Sequence, residues 1–338
     1  MPDGPSTAPL TLAAQPALQS GPPSFGVVVL NWNNAQETMR CVEALEAIDP
    51  APDHVVVVDN GSEDDSVERL ESWADEHWIW RMSGGTSDSS SRAEAPWLVI
   101  ARAGSNRGFA GGNNVGIRYL QQRTTVSHIL LLNNDATLAP TFFAEIAKAI
   151  ATYPDSGLLT GTIYEDPDRT RVWYAGGVEY PLRALMQHRY DVPESSEPAP
   201  TEFISGCAMV ISRHLVERIG PLAECYFPAY WEDGEYSYRA REAGLPVLYV
   251  PAATVYHKVG STVRAADMSL TLDRCKNRLR VFYVRRNYHG LRKGAALGYL
   301  AVTKPGRAIL ETLKGHPRSG WAILSGTIAG FVSPDAKR

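Results

Sequence analysis

Four runs of apolar, mostly β-branched residues, Gly26–Leu30, His54–Val58, Trp97–Ala101 and His128–Leu132, each give way abruptly to polar residues. They lack the in-out alternation of a sheet with one wet face, so they are expected to lie buried on both sides as parallel strands. Amphipathic stretches near Glu37–Ala47, Asp65–Glu76, Asn114–Gln121 and Thr141–Ala151 are the helices that cover them. The chain is therefore expected to be α/β, with a mostly parallel sheet flanked by helices and a helical C-terminal extension. In open α/β sheets ligands bind beyond the carboxyl ends of the strands, so chemistry is sought where each apolar run stops.

The rest of the chain reads less regularly. Arg171–Glu179 suggests a hairpin turning at Gly176-Gly177, Phe203–Ile211 a buried strand, and Ser212 the cap of a short helix. Ser83–Ala95 and Gln187–Pro200 read as loops, the second as a lid over an acceptor. Beyond Pro251 the chain turns helical and basic, with Arg274, Lys276, Arg278, Arg280, Arg285, Arg286, Arg292, Lys293 and Lys304 among apolar residues. Residues 1–24 are broken by prolines and lack a basic start, which predicts a disordered tail and not a signal peptide. Trp321–Val332 is too short, and too rich in glycine, to cross a bilayer.

Composition excludes several classes. The formal net charge of -4 and the lack of a basic run with interleaved aromatics argue against nucleic acid. Cys41, Cys207, Cys225 and Cys275 have no metal-ligand spacing, which argues against structural zinc and a disulfide framework and fits a reducing cytoplasm.

The strand ends carry the candidate chemistry. The first run leads into Asn31-Trp32-Asn33-Asn34 and the second into Asp59-Asn60-Gly61-Ser62. A carboxylate at Asp59 can accept the imide N–H of uracil or thymine, or it can simply close a helix-capping turn. Asn106-Arg107-Gly108 continues through Gly111 to Asn113 and Asn114, a glycine-rich segment opening a helix. Its backbone can approach a diphosphate, or its glycines can pack a helix against the sheet. The spacing is neither GxGxxG nor GxxxxGK[ST], so dinucleotide binding and phosphoryl transfer lose support. The fourth run stops at Asn133-Asn134-Asp135, where a buried carboxylate suits a hard divalent cation bridging phosphates. Trp231-Glu232-Asp233-Gly234-Glu235 supplies carboxylates and Tyr256-His257 a nitrogen ligand. The plainer readings are favourable charge in a helix's first turn and a histidine satisfied at a strand end. Inverting displacement at an anomeric carbon needs one carboxylate base, whereas retention needs a second, nucleophilic one.

Taken in order, VVVLNWNN, VVVVDNGSEDDS, SNRGFAGGNN, LLLNNDA, FISGCAMVISR, YWEDGEYSYRAREAG and YHKVGST resemble the family 2 glycosyltransferases, above all their bacterial rhamnosyltransferase-like branch, over about Phe25 to Asn287. The resemblance implies a GT-A fold, a nucleotide-sugar donor, a divalent Mg or Mn ion and an inverting mechanism. It implies a catalytic domain over 25–262, with a donor half (25–135) and an acceptor half (136–262), followed by the extension 263–338. Matched position by position, Asp59 binds the donor base, with Asn31, Asn33, Asn60, Asn106, Arg107, Gly108, Gly111, Asn113, Asn133 and Asn134 around the donor. Asp135 is the last residue of the DXD metal motif, whose first aspartate is Asn133 here, and His257 is the second metal ligand. Asp233 is the base with Glu232 supporting it, and Trp231 and Glu235 face the acceptor. Arg286 and Asn287 approach the diphosphate or an anionic carrier.

A UDP- or dTDP-sugar suits the imide-binding role of Asp59, and rhamnose follows from the resemblance alone. The acceptor is a saccharide, a lipid-linked saccharide or a small molecule. The extension either lies on an anionic membrane at the cytoplasmic face or packs back on the core, and a homodimer is compatible with the sequence. The rival readings are a nucleotidyltransferase, whose usual glycine-rich N-terminal loop is missing, and an inactive sugar-nucleotide binder. No QxxRW motif of a polymerising synthase occurs.

Overall fold

The computed structural model describes residues 21–76, 96–258 and 266–334. Parallel strands β1 (Phe25–Asn31), β2 (His54–Asp59), β3 (Leu98–Arg102) and β4 (His128–Asn133) lie in the order β3-β2-β1-β4 within a ten-stranded mixed sheet. Each includes the polar residue that ends its apolar run. Parallel register sets Asn31 opposite Asp59 and Leu30 opposite Asn133, so these polar ends share one edge of the sheet.

Both faces of the sheet are dry. Val27, Val29, Val55 and Val57 pack beneath α1 (Ala35–Glu46) and α4 (Phe142–Thr152), while Val28, Val56 and Leu131 pack on the other face. Full burial of such side chains contributes roughly 1.5–3 kcal/mol each, and alternating residues of a strand supply both layers. The second helix, α2 (Ser66–Glu76), follows β2. On the second face lies α3 (Gly108–Arg123), which begins at Gly108 and not at Asn114 as periodicity suggested. The glycines are inside this helix because it runs against the sheet: a Cβ on Gly112 would strike Leu30 and Asn60, and one on Gly116 would strike Val28.

The sheet continues beyond β4 through elements that the sequence placed less well. Between β4 and β6 (Leu158–Glu165) runs antiparallel β11, limited to Ala208–Ser212. Phe203–Cys207 is buried but not strand, because its backbone donors go elsewhere: Ile204 N to Ser237 Oγ, Gly206 N to Asp233 and Cys207 N to Ser205 Oγ. Ser212 caps α5 (Arg213–Ile219) as expected, accepting from Leu215 N at 3.2 Å. No hairpin forms at Gly176-Gly177. Instead β7 (Val172–Tyr174) pairs with β6, and β8 (Gly177–Tyr180) pairs with β9 (Leu185–His188), turning at Pro181–Ala184. The expected Gln187–Pro200 loop therefore starts inside β9 and ends in the short β10 (Ala199–Pro200). Ser83–Ala95 and the first twenty residues of the expected tail lie outside the described residues.

Beyond α6 (Glu232–Glu242), strand β12 (Val247–His257) runs parallel to β6, and the short β5 (Ala136–Leu138) pairs with its far end. Three helices follow: α7 (Ala266–Asn287), α8 (Gly290–Leu313) and α9 (Pro317–Val332). Gly326 and Gly330 let α9 lie directly on the carbonyls of Arg274 and Arg278 in α7. Glu179, on β8, ties these helices to the sheet: its buried carboxylate accepts from Tyr283, Tyr288, Arg292 and Arg241. None of the described helices is long and apolar enough to cross a membrane.

Candidate functional site

At the carboxyl ends of β1 and β2 the polar residues lock onto one another. Asp59 Oδ1 accepts from Asn31 Nδ2 at 3.0 Å and from Ser62 Oγ at 2.5 Å, and Oδ2 from the Gly61 and Ser62 N–H groups at 3.2 Å. Its lone pairs are thus filled by the turn. Gly61 holds φ +74°, and any Cβ there would collide with the backbone of Ser105 and Asn106, so a glycine is required. Asn60 fastens the same turn to the next loop, accepting from Arg107 N and donating to Asn106 Oδ1 and Gly108 O. Asn33, at φ +52°, accepts from Glu63 N, and Asn134 donates to Thr38 Oγ1.

Where β4 ends, β5 pairs Ala136 with His257 of β12, which carries the neighbouring Asp135 to the histidine. His257 Nε2 stands 3.1 Å from Asp135 Oδ1. Burial opposes a charge on His257, but Cys207 and Asp135 prevail and raise it to about 10, making the two an imidazolium–carboxylate pair. Two ligands set at right angles about 2.1 Å from one ion lie about 3 Å apart, so the pair fits a divalent cation that replaces this proton. Among the described residues no group of three or more such side chains gathers. A two-ligand site suits an ion completed by phosphate oxygens and water.

Asp233 opens the second part of the site. Its Oδ2 accepts from Gly206 N at 3.1 Å and its Oδ1 from Gly234 N at 2.7 Å. The turn that presents it is strained: Tyr230 and Trp231 hold φ of +85° and +77°. Packing enforces that turn, since Trp231 stacks on Tyr283 at 5.2 Å and donates from Nε1 to Lys276 O on α7. Burial raises Asp233 above the usual carboxylate range. Burial and then Asp233 lift the neighbouring Glu232 to about 8, and Glu232 Oε2 has no hydrogen-bond partner. With two N–H donors on Asp233 and an unpartnered oxygen on Glu232, the shared proton belongs on Glu232.

Asp233 faces a cavity of about 400 Å³ between β9, α6 and the C-terminal helices, lined also by Met186, His188, Trp231, Lys276, Arg280 and Lys304. Gly206 and Cys207 join the two parts of the site. Gly206 N holds Asp233, while Cys207 sits at the Asp135–His257 pair and accepts from Asn133 N through its backbone oxygen at 2.9 Å.

The structure thus brings Asn31, Asn33, Asp59, Asn60, Asn106, Arg107, Gly108, Asn133, Asn134 and Asp135 to one edge of the sheet, with His257, Asp233, Glu232 and Trp231 beside them. Other expected residues lie elsewhere. Gly111 and Asn113 are buried inside α3, where Asn113 donates to Phe109 O. Glu235 points to the opposite side of α6, fully buried and paired with Arg239 at 3.0 Å, with Arg286 at 3.8 Å, and so does not line the cavity at Asp233. Asn287 is buried and donates to Tyr226 Oη and Tyr283 O. Sequence reading missed Gly206, Cys207, His188 and Glu179. Within FISGC, only the serine–glycine pair hinted at a turn.

Residues 22–276 match the glycosyltransferase-like family 2. A curated relative, the low-salt glycan biosynthesis hexosyltransferase Agl10 of Haloferax volcanii, is 23% identical over 66% of this chain and 63% of its own length. Among solved structures, GalNAc-T7 with UDP, GalNAc and Mn²⁺ superposes with a TM-score of 0.62 at 16% identity, over 90% of this chain and 57% of its own. The chain therefore spans less than two thirds of each of these two relatives. The mannosyltransferase PcManGT of Pyrobaculum calidifontis, with GDP-Man and Mn²⁺, superposes at 0.55 and 16% identity over 96% and 91% of the two chains. The sheet order, the flanking helices and these likenesses make the fold GT-A, and the chain belongs to the glycosyltransferase-like family 2.

Proposed function

We propose that the chain is an inverting glycosyltransferase that moves one sugar from a UDP- or dTDP-sugar to an acceptor hydroxyl, with Asp233 as general base. The observation that carries this reading is the Gly206–Cys207 bridge, which sets a partly free carboxylate one residue from the Asp135–His257 pair. The acceptor oxygen, entering from the cavity, attacks the anomeric carbon as its proton passes to Asp233, and the bond to the diphosphate breaks on the opposite face. Glu232, holding its proton at neutral pH, leaves Asp233 ionised for that task. Asp135 and His257 would hold a Mg or Mn ion, which supplies positive charge to the departing diphosphate. The Mn²⁺ of GalNAc-T7 and PcManGT supports a divalent ion. Asp59 acts by fixing the wall against which the nucleotide lies. The likeness to the rhamnosyltransferase-like branch puts dTDP-rhamnose first among donors to be tried.

The extension supports membrane contact. Leu291, Val302, Ile309 and Leu313 recur along one side of α8 with exposures of 93, 76, 62 and 80%. Arg292, Lys293, Arg307, Lys314 and Arg318 flank them, against the single acidic residue Glu311 in that stretch. An anionic bilayer surface offers both the apolar and the charge complement.

The test is release of nucleoside diphosphate from UDP-, dTDP- and GDP-sugars with Mn²⁺ across a panel of acceptors, with the product anomer read by NMR. An inverted anomer and loss of release on chelation are expected. A retained anomer contradicts the single-base reading, and release that survives chelation contradicts the metal.

A further inference from the structure

In the cavity that Asp233 lines, two cations face the open space with no carboxylate paired to them among the described residues. Arg280, on α7, donates its Nε and Nη2 to the backbone oxygen of Arg183 at 3.1 and 2.6 Å. Lys304, on α8, donates its Nζ to the side-chain oxygen of Asn277 at 2.7 Å. Both partners are neutral acceptors, and no carboxylate is among the groups that perturb either cation. Asp273 lines the same cavity but forms no ion pair with them. Placing two like charges side by side under partial burial is costly unless a ligand offsets them. Burial first, then Arg280 and Arg307, pulls Lys304 down to about 8, the direction expected when no anion is present. Their neutral anchors hold both head groups in place before any ligand arrives, which lowers the ordering cost of binding.

We propose that Arg280 and Lys304 form an anion subsite for a phosphate or diphosphate group on the acceptor. The proposal rests on Asp233 being the base, because that role makes this cavity the acceptor's. The donor diphosphate belongs on the other side of Gly206–Cys207, at the Asp135–His257 pair, so this subsite is separate from it. A guanidinium with a free Nη1 edge beside an ammonium is a donor set suited to phosphate oxygens. The acceptor would then carry a sugar or alcohol hydroxyl toward Asp233 and a phosphate at the far wall.

The test is calorimetric titration of the full chain with inorganic pyrophosphate in EDTA, which withdraws the metal from the donor side. Lys304→Gln is expected to weaken pyrophosphate binding at least tenfold, and Lys304→Arg to keep it within about threefold of the parent. A parallel titration with UDP and Mn²⁺ is expected to be the same for all three proteins, which also shows that the variants are folded. Pyrophosphate binding as tight in Lys304→Gln as in the parent overturns the subsite. If UDP fails to bind but pyrophosphate binding still depends on Lys304, the donor reading has failed and the subsite stands. Competition then separates the sources: displacement of pyrophosphate by glucose 1-phosphate points to a soluble acceptor. Displacement only by phosphatidylcholine vesicles carrying a long-chain alkyl phosphate points to a lipid-borne one. Displacement by neither overturns the proposal.

Discussion

Asp59 and Asp233 are two carboxylates with opposite surroundings. Asp59 receives four hydrogen bonds from its own turn and from Asn31, which leaves it no capacity for a ligand. Asp233 receives two backbone N–H bonds and turns its remaining lone pairs to a cavity. Asp59 is matched by donors on both oxygens, whereas burial raises Asp233 above the ordinary carboxylate range. A fully satisfied carboxylate builds the site, and a partly satisfied one is available to react in it.

That contrast can be broken most sharply at Asp233. Asp233→Asn keeps one of the two backbone hydrogen bonds, since Gly206 N and Gly234 N are held by different oxygens, and cannot take a proton; it is expected to lower the transfer rate by about 10²–10⁴-fold while nucleotide affinity stays unchanged. Measured transfer near the parent rate would remove Asp233 from the mechanism.

Next in size is Glu179, which belongs to neither carboxylate's turn yet supports the one at Asp233. Glu179→Ala strands Arg241 and Arg292 and removes the acceptor of Tyr283, the ring on which Trp231 stacks. Breaking such a buried network costs about 3–5 kcal/mol, to be read as a lower urea midpoint. Transfer is expected to fall with it, because the strained Trp231 turn loses its support.

A smaller effect is expected at the donor wall. Asp59→Asn turns its amide NH2 either on the Gly61 and Ser62 N–H groups, which share Oδ2, or on Asn31 Nδ2, at about 1–3 kcal/mol of stability. Unfolding by urea should show that loss. An undiminished midpoint would mean the turn does not depend on the charge.

The smallest change belongs to Glu232→Gln. Because Glu232 stands at about 8, it already holds a proton at pH 7, and the variant should transfer within about threefold of the parent there. The parent's pH–rate profile should fall on the acid side above the usual carboxylate range, since a protonated Asp233 accepts nothing. Any inflection near pH 8 should vanish in Glu232→Gln. A profile unchanged by the substitution would show that the two carboxyls do not share a proton.

The donor edge was legible in the sequence because its signals are local: apolar runs such as Val27–Val29 ending at Asn31, and polar residues within a few positions of each strand end. The reactive part was legible only as residue types. Asp233 is held by Gly206, 27 positions away, and its turn by Tyr283 and Lys276 on a helix whose docking depends on Glu179. Glu235 shows the limit from the other side, since an acidic residue two places after Asp233 looked suited to the acceptor and instead pairs with Arg239 one turn along the helix. Likewise the glycines of α3 carried no signal to separate phosphate approach from helix packing, and Gly112 and Gly116 serve packing.

Donor binding and proton transfer are expected to reside in adjacent but separable groups. Calorimetric titration of the parent, Asp135→Ala and Asp233→Asn with UDP and dTDP, each with and without Mn²⁺, separates them. Mn²⁺-dependent binding that Asp233→Asn retains and Asp135→Ala loses is expected. Binding that ignores Mn²⁺, or that disappears with Asp233 and survives without Asp135, would contradict it.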